Sequence, residues 1–319
     1  MPMTIKAALV ASLGLLLVGC GAAQPVIPTH YRSHSVQEQG DPRVGEYISS
    51  QWSLETASYW IEGPEGLVFI DTQLLPSALR KQLAFAKEVT GKEVKLALIL
   101  HPTPDRFNGT ALLKELGVPV LTSEQVRARI PAVHDKWAPT LFKRYWNGSY
   151  PRELVLADGF GDSTRELSAA GLTFKVHVLG AGSSQAHVVI EWEGHLFTGD
   201  LVARATHPWF EGGRVDEWLQ RLDELRALKP KWIHPGRGLP GGPELLDAQT
   251  EYLQAVVEEV RAERHAAQPS SDPLRTVTEK VTRRYPGHRY PELLPALVRG
   301  EWARQAPRPA PQPPAPAPP

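Results

Sequence analysis

Four stretches of this 319-residue chain set polar side chains immediately after apolar runs. The first reads Leu98-Ile99-Leu100-His101-Pro102-Thr103-Pro104-Asp105-Arg106-Phe107-Asn108-Gly109, and the second Leu179-Gly180-Ala181-Gly182-Ser183-Ser184-Gln185-Ala186-His187. The third is Leu196-Phe197-Thr198-Gly199-Asp200 and the fourth Ile233-His234-Pro235-Gly236-Arg237-Gly238. Imidazoles and carboxylates are the side chains that take up protons or metal ions, and a guanidinium forks onto carboxylates at any working pH. Bland roles stand beside these. His101 is able to close a loop, and Asp105 to cap the helix that follows it. Ser183 is a conceivable nucleophile if His187 is its base, although His187 also reads as a strand histidine. His177, His195 and His234 read as structural or surface groups. His207-Pro208-Trp209-Phe210, just beyond Asp200, offers aromatic surface for a pocket wall or a covered loop.

Buried strands are needed to deliver such loops to one rim. Tyr59-Trp60-Ile61 and Leu67-Val68-Phe69-Ile70 flank Gly63-Pro64-Glu65-Gly66 and predict a hairpin. A helix is expected from about Pro76 to Thr90, with Leu79, Leu83, Ala86 and Val89 or their neighbours toward one face; Pro76 suits its first turn and Gly91 its stop. The nearly continuous apolar run from Val94 to Leu100, interrupted only by Lys95, predicts a strand buried on both sides. A short helix from Asn108 to about Gly117 and a strand at 118–121 follow. Further strands are expected around Leu154, at 172–179, 187–192, 195–197 and 232–233. Helices are expected near 215–227 and from about Pro243. This alternation predicts two sheets covered by helices.

The four stretches, in this order and spacing, resemble the metallo-β-lactamase superfamily, with Gly66-Leu67-Val68-Phe69-Ile70-Asp71-Thr72 as an accompanying segment. The likeness extends from about Gly45 to Ala267. It implies an α+β fold, the four-layer αββα sandwich, with two zinc ions between the loop ends of the sheets. It also implies one metal site at the positions of His101, Thr103 and Ser183, and a second at Asp105, Asp200 and Arg237. Three of those positions depart from the pattern: Thr103, Ser183 and Arg237 stand where the family has histidines. His101, Asp105 and Asp200 remain as metal ligands, enough for at most one weakly held zinc or similar divalent ion. Asp105 becomes the candidate catalytic base, and Thr103, Arg106, Ser183 and Arg237 become pocket residues. Arg237, helped by Arg106, is placed to neutralise Asp105 and Asp200 in place of the second metal. The expected function is that of an altered or residual hydrolase acting on an ester, thioester or lactam. The alternative is a non-catalytic protein that keeps the fold and pocket to bind a small molecule or a partner.

Both ends read as non-globular. Lys6 and the apolar stretch Ala7–Val18 have the layout of a secretory signal and are too short to span a bilayer. The segment closes on Leu17-Val18-Gly19-Cys20, which resembles the lipobox of bacterial lipoproteins. That likeness implies cleavage after residue 19 and lipidation of Cys20; an ordinary signal ending near Ala22-Ala23 is the other reading. Residues 20–44 then form a tether, 45–304 the domain, and 305–319 an extended Pro-rich tail. Gly21 after the cysteine implies an outer-membrane anchor facing the periplasm. Cys20 is the chain's only cysteine, so a lipidated Cys20 leaves the domain no disulfide and no thiolate ligand. With 35 basic and 35 acidic side chains and a formal charge of zero, no nucleic-acid partner is expected.

Overall fold

The computed structural model describes residues 30–32 and 41–306. Cys20, the signal segment, most of the tether and the tail from 307 onward lie outside the described residues. The first sheet opens with four antiparallel strands, β1 (His30–Arg32), β2 (Val44–Ile48), β3 (Ala57–Gly63) and β4 (Gly66–Ile70). Helix α1 (Pro76–Thr90) then leads to β5 (Val94–Leu98). Helices α2 (Pro104–Phe107) and α3 (Thr110–Glu115) precede β6 (Val120–Thr122), and α4 (Glu124–Arg144) precedes β7 (Asp158–Gly159). Strands β4 to β7 run parallel, and the sheet keeps chain order from β1 to β7. The second sheet holds β8 (Arg165–Ala169), β9 (Leu172–Leu179), β10 (His187–Trp192) and β11 (His195–Ala203). Helix α5 (Val215–Ala227) crosses over to β12 (Trp232–Arg237), which pairs parallel to β11 at the sheet edge. Helices α6 (Glu244–Arg264), α7 (Pro273–Arg284) and α8 (Leu294–Arg304) complete the order.

Alternating side chains of the second sheet feed two separate cores. Val188, Ile190, Trp192 and Phe197 pack with Ile61, Phe69 and Leu98 of the first sheet. Their neighbours Val189 and Leu196 face outward against Trp218, Leu222, Leu253, Val256, Val277 and Leu297 of the helices. A strand's period of two makes this possible only when both faces are covered. On the other side, Leu79, Leu112, Leu113 and Ile130 of α1, α3 and α4 close over the first sheet. The result is the expected four-layer αββα sandwich.

The predicted hairpin is β3–β4, with Gly63 opposite Gly66. Helix α1 has its expected ends: Pro76 begins it and Gly91 closes it with a left-handed φ of 70°. Val89 is 43% exposed, because ten residues beyond Leu79 the helix has turned it about 80° off the buried face. No strand forms around Leu154; the chain there is irregular, and the sheet ends instead at the two-residue β7. The long α4 lies where the sequence suggested no element. It tolerates Pro131 and Pro139, buries Val126, Ile130, His134, Ala138 and Leu141 along one face, and is capped by the Ser123 hydroxyl, which accepts from Val126 N at 3.3 Å. Residues 30–32, within the stretch read as tether, add the edge strand beside β2.

Candidate functional site

The four polar stretches meet between the two sheets. The buried run ending in β5 delivers His101 and the short α2, which carries Asp105 and Arg106. Strand β11 delivers Asp200, and its parallel neighbour β12 ends on Arg237. Thr103 is the N-cap residue of α2, so Asp105 sits in the first turn rather than at the cap. Glycine is required where these loops pass one another. A Cβ on Gly236 would lie 2.3 Å from Asp200 Oδ1 and 2.7 Å from Arg106 Nη2, and one on Gly199 would lie 2.8 Å from the His101 ring.

Two guanidiniums organise the centre. Arg106 Nη2 donates to Asp200 Oδ1 at 2.5 Å and to Gly236 O at 2.9 Å, while its Nη1 donates to Ala57 O at 2.8 Å and Asp71 Oδ2 at 3.1 Å. Its Nε lies 3.5 Å from Asp105 Oδ2. Arg237 Nη2 donates to Asp105 Oδ2 at 2.6 Å and lies 3.6 Å from Asp200 Oδ2; its Nη1 donates to Leu54 O at 2.6 Å. Thr56 Oγ1 also donates to Asp105 Oδ2, at 3.0 Å. All of this is sealed: His101, Asp105 and Arg106 are fully buried, and Asp200 and Arg237 are 1% and 2% exposed. The Trp209 ring lies 5.6 Å from the Arg237 guanidinium, and Trp137 meets Trp209 edge-on at 5.0 Å. Trp209 and its neighbours are therefore a covered loop over the centre.

Burial alone would push the Asp105 carboxyl up, but Arg106 and Arg237 outweigh burial and hold it well below the usual carboxylate range. A carboxylate held that low is a weak proton acceptor, which speaks against its expected role as a base. His101, Asp105 and Asp200 are brought together as the sequence suggested, but in cationic surroundings. The His101 Nε2 lone pair accepts from Asp200 N at 3.2 Å, and Nδ1 faces the Thr103 hydroxyl at 3.2 Å. Burial, reinforced by Arg106, keeps this ring neutral. Among the described residues, no group of three His, Cys, Asp or Glu side chains is arranged to hold a metal ion. Ser183 Oγ lies 3.4 Å from His187 Nε2, an atom that also receives Ser184 N at 3.1 Å. His177 bonds Glu191 at 2.7 Å and His195 bonds His234 at 2.9 Å, both away from the centre.

The sequence did not single out Asp71 as a site residue. Its carboxylate accepts from Leu100 N at 3.0 Å as well as from Arg106, and its backbone holds a left-handed φ of 65°. Asp71, Asp105 and Asp200 against Arg106 and Arg237 leave one negative charge in excess. A proton on Asp71 removes it: burial, opposed by Arg106, lifts the Asp71 carboxyl to about 7. A folded-state value above the ordinary 3.8 means that this group's stabilising contribution is complete at low pH and is lost as pH rises through about 7. Urea unfolding between pH 5 and 8 is expected to show that decline, and Asp71→Asn to flatten it. An unchanged slope in the variant would assign the pH dependence to other groups.

Open space lies beside the sealed centre. A cavity of about 390 Å³ is bounded by Pro102 of the first stretch, Gln185 of the second, Glu211 and Gly212 of the loop after β11, and one face of α4. Thr103, Arg106, Ser183 and Arg237, expected as pocket residues, are buried in the centre instead and do not line this cavity.

Residues 54–237 match the family model described as the metallo-beta-lactamase superfamily. Among solved structures, the chain is similar to a metallo-beta-lactamase from Pontibacter korlensis, at 20% identity and a TM-score of 0.56, over 71% of this chain and 99% of that one. It is also similar to metallo-beta-lactamase FIM-1 from Pseudomonas aeruginosa in its mono-zinc form, at 16% identity and a TM-score of 0.54, over 72% and 96% of the two chains. A third similar structure is metallo-beta-lactamase DIM-1, at 16% identity and 0.53, over 72% and 98%. No curated protein sequence matches the chain. Identities this low carry the shared fold and nothing finer.

Proposed function

Because the chain belongs to the metallo-β-lactamase superfamily, whose fold suggests hydrolase-like chemistry, we propose that it is a member in which ligand binding has replaced metal-dependent hydrolysis. The observation that carries this reading is Arg237 Nη2, 2.6 Å from Asp105 Oδ2 and 3.6 Å from Asp200 Oδ2. A guanidinium already stands between the two carboxylates that would help hold a second zinc. Arg106 holds the other oxygen of Asp200. The first zinc position fares no better, since Thr103 and Ser183 are poor ligands and the His101 lone pair is engaged by a backbone N–H. Two buried oxygens, Asp105 Oδ1 and Asp200 Oδ2, lack a hydrogen bond among the described residues. A divalent ion placed on them would face two fixed positive charges. The residues therefore do not fit a zinc ion, and the arginines take over its electrostatic role.

The chain's own groups then hold the sheet ends in place, while the cavity beside them receives a small molecule. Lys6, the apolar stretch before Gly19-Cys20 and the polar residues after it support a lipid-anchored protein of the outer membrane facing the periplasm. A hydrolase remains the second reading, favoured by Ser183 Oγ standing 3.4 Å from His187 Nε2. One experiment separates the two. Protein incubated with zinc and dialysed is expected to retain no stoichiometric metal, and to turn over no ester, thioester or lactam in a broad panel. About one zinc per chain with chelator-sensitive hydrolysis would overturn the binding reading. Chelator-resistant turnover that disappears in Ser183→Ala would establish the second reading instead.

A further inference from the structure

The cavity beside the centre has a polarity of its own. Helix α4 presents Arg129, Ala132, Val133 and Lys136 to it, and residues seven apart stand two turns, or about 10 Å, from each other on one face. The Lys136 end is already neutralised: its Nζ lies 2.5 Å from Glu211 Oε1, and Glu211 Oε2 accepts from the Trp137 indole. Glu211 is buried in the wall, and the exposed Lys136 side chain reaches onto it. At the other end Arg129 is exposed and makes no ion pair or hydrogen bond with the described residues. Gln185, on the opposite rim, likewise leaves its carboxamide free. Between the two ends the wall is apolar, formed by Pro102, Ala132 and Val133. One unbalanced positive charge with forked donors, an apolar middle and a far end whose charge is already neutralised describe a receptor for a short amphiphilic anion.

We propose that this cavity binds a small molecule carrying a single carboxylate on an apolar body, with Arg129 as the group that holds the carboxylate and Gln185 as a second polar contact. The proposal rests on the binding reading of the function and names its ligand class. A planar carboxylate accepts two parallel N–H bonds from Arg129, and a ring or short aliphatic chain then covers Val133 and Pro102. At the other end the Lys136 charge is already taken up by Glu211, so a second carboxylate there finds no unpaired cation.

Phenylacetate and its neutral isostere phenylacetamide are suitable probes, titrated calorimetrically into the purified protein. Saturable binding of phenylacetate is expected, at least about tenfold tighter than the amide. Arg129→Gln is expected to remove that preference and Arg129→Lys to keep part of it, with the thermal midpoint unchanged because Arg129 is solvent-exposed. Equal affinity for the two probes, equal phenylacetate affinity in Arg129→Gln, or no binding of phenylacetate at millimolar concentration would overturn the proposal. Zinc-dependent or Ser183-dependent turnover in the panel would overturn the functional reading instead, and it is scored independently of this titration.

Discussion

Arg106→Met is expected to lower folding stability by about 3–5 kcal/mol, the cost of breaking a buried ion pair from one side. Methionine keeps much of the arginine's length, so the loss is one of charge and hydrogen bonding rather than of volume. The side chain it replaces is fully buried and serves Asp71, Asp105 and Asp200 together with the carbonyls of Ala57 and Gly236. Removing it strands carboxylates in a site that water does not reach. They respond by holding protons, so their folded-state values rise above the unfolded ones. Stability in the variant is then greatest at low pH and falls as pH increases, with a steeper slope than in the parent protein. Urea midpoints at pH 5 and pH 8 measure both effects. A variant as stable as the parent at pH 8 would mean that the carboxylates are not charged in the native centre.

Arg237→Met is the second large effect, about 2–3 kcal/mol, smaller because Asp105 keeps Arg106 at 3.5 Å and the Thr56 hydroxyl at 3.0 Å. The decisive comparison is the double variant. Asp105→Asn combined with Arg237→Met removes the stranded charge along with its partner, and stability is expected to return to within about 1 kcal/mol of Asp105→Asn alone. Simple additivity of the two single changes would show that Arg237 acts through its contacts with Leu54 O and Trp209 rather than through the carboxylate.

Most elements could be read from periodicity, which on its own reaches two sheets covered by helices; the four-layer sandwich came from the family resemblance. The Pro76 and Gly91 boundaries of α1 and the strand at 187–192 are where the sequence put them, and the run 94–100 forms β5 over Val94–Leu98, buried from Leu96 onward. Helix α4 was not expected: Pro131 and Pro139 within it weaken the helical signal of the segment, and the burial of Ile130, His134 and Ala138 sustains it all the same. The stretch around Leu154 has strand-like composition and no partner to pair with, so it stays irregular. Within the site, the meeting of Arg237 with Asp105 and Asp200 followed from spacing and family resemblance. The hub role of Arg106 and the inclusion of Asp71 did not. Asp71 and Arg106 are 35 residues apart, and nothing local in the sequence tells which of three acids a buried arginine will serve. The cavity was missed for a related reason: its floor belongs to α4.

The charged centre draws on β4, α2, β11 and β12, and its farthest members, Asp71 and Arg237, come from different sheets. No half of the chain contains it, so it cannot assemble until both sheets have formed and docked. Until then only part of the network, Arg106 with Asp71 and Asp105 on the first sheet's side, is within reach, and most of the loop-closure entropy of a chain this non-local has to be met by apolar contacts. The ion cluster thus enters after the search for topology is over. What it contributes is a penalty for leaving: separating the sheets means hydrating the buried arginines and carboxylates together, which makes the opening of the sandwich a single concerted event rather than a gradual fraying.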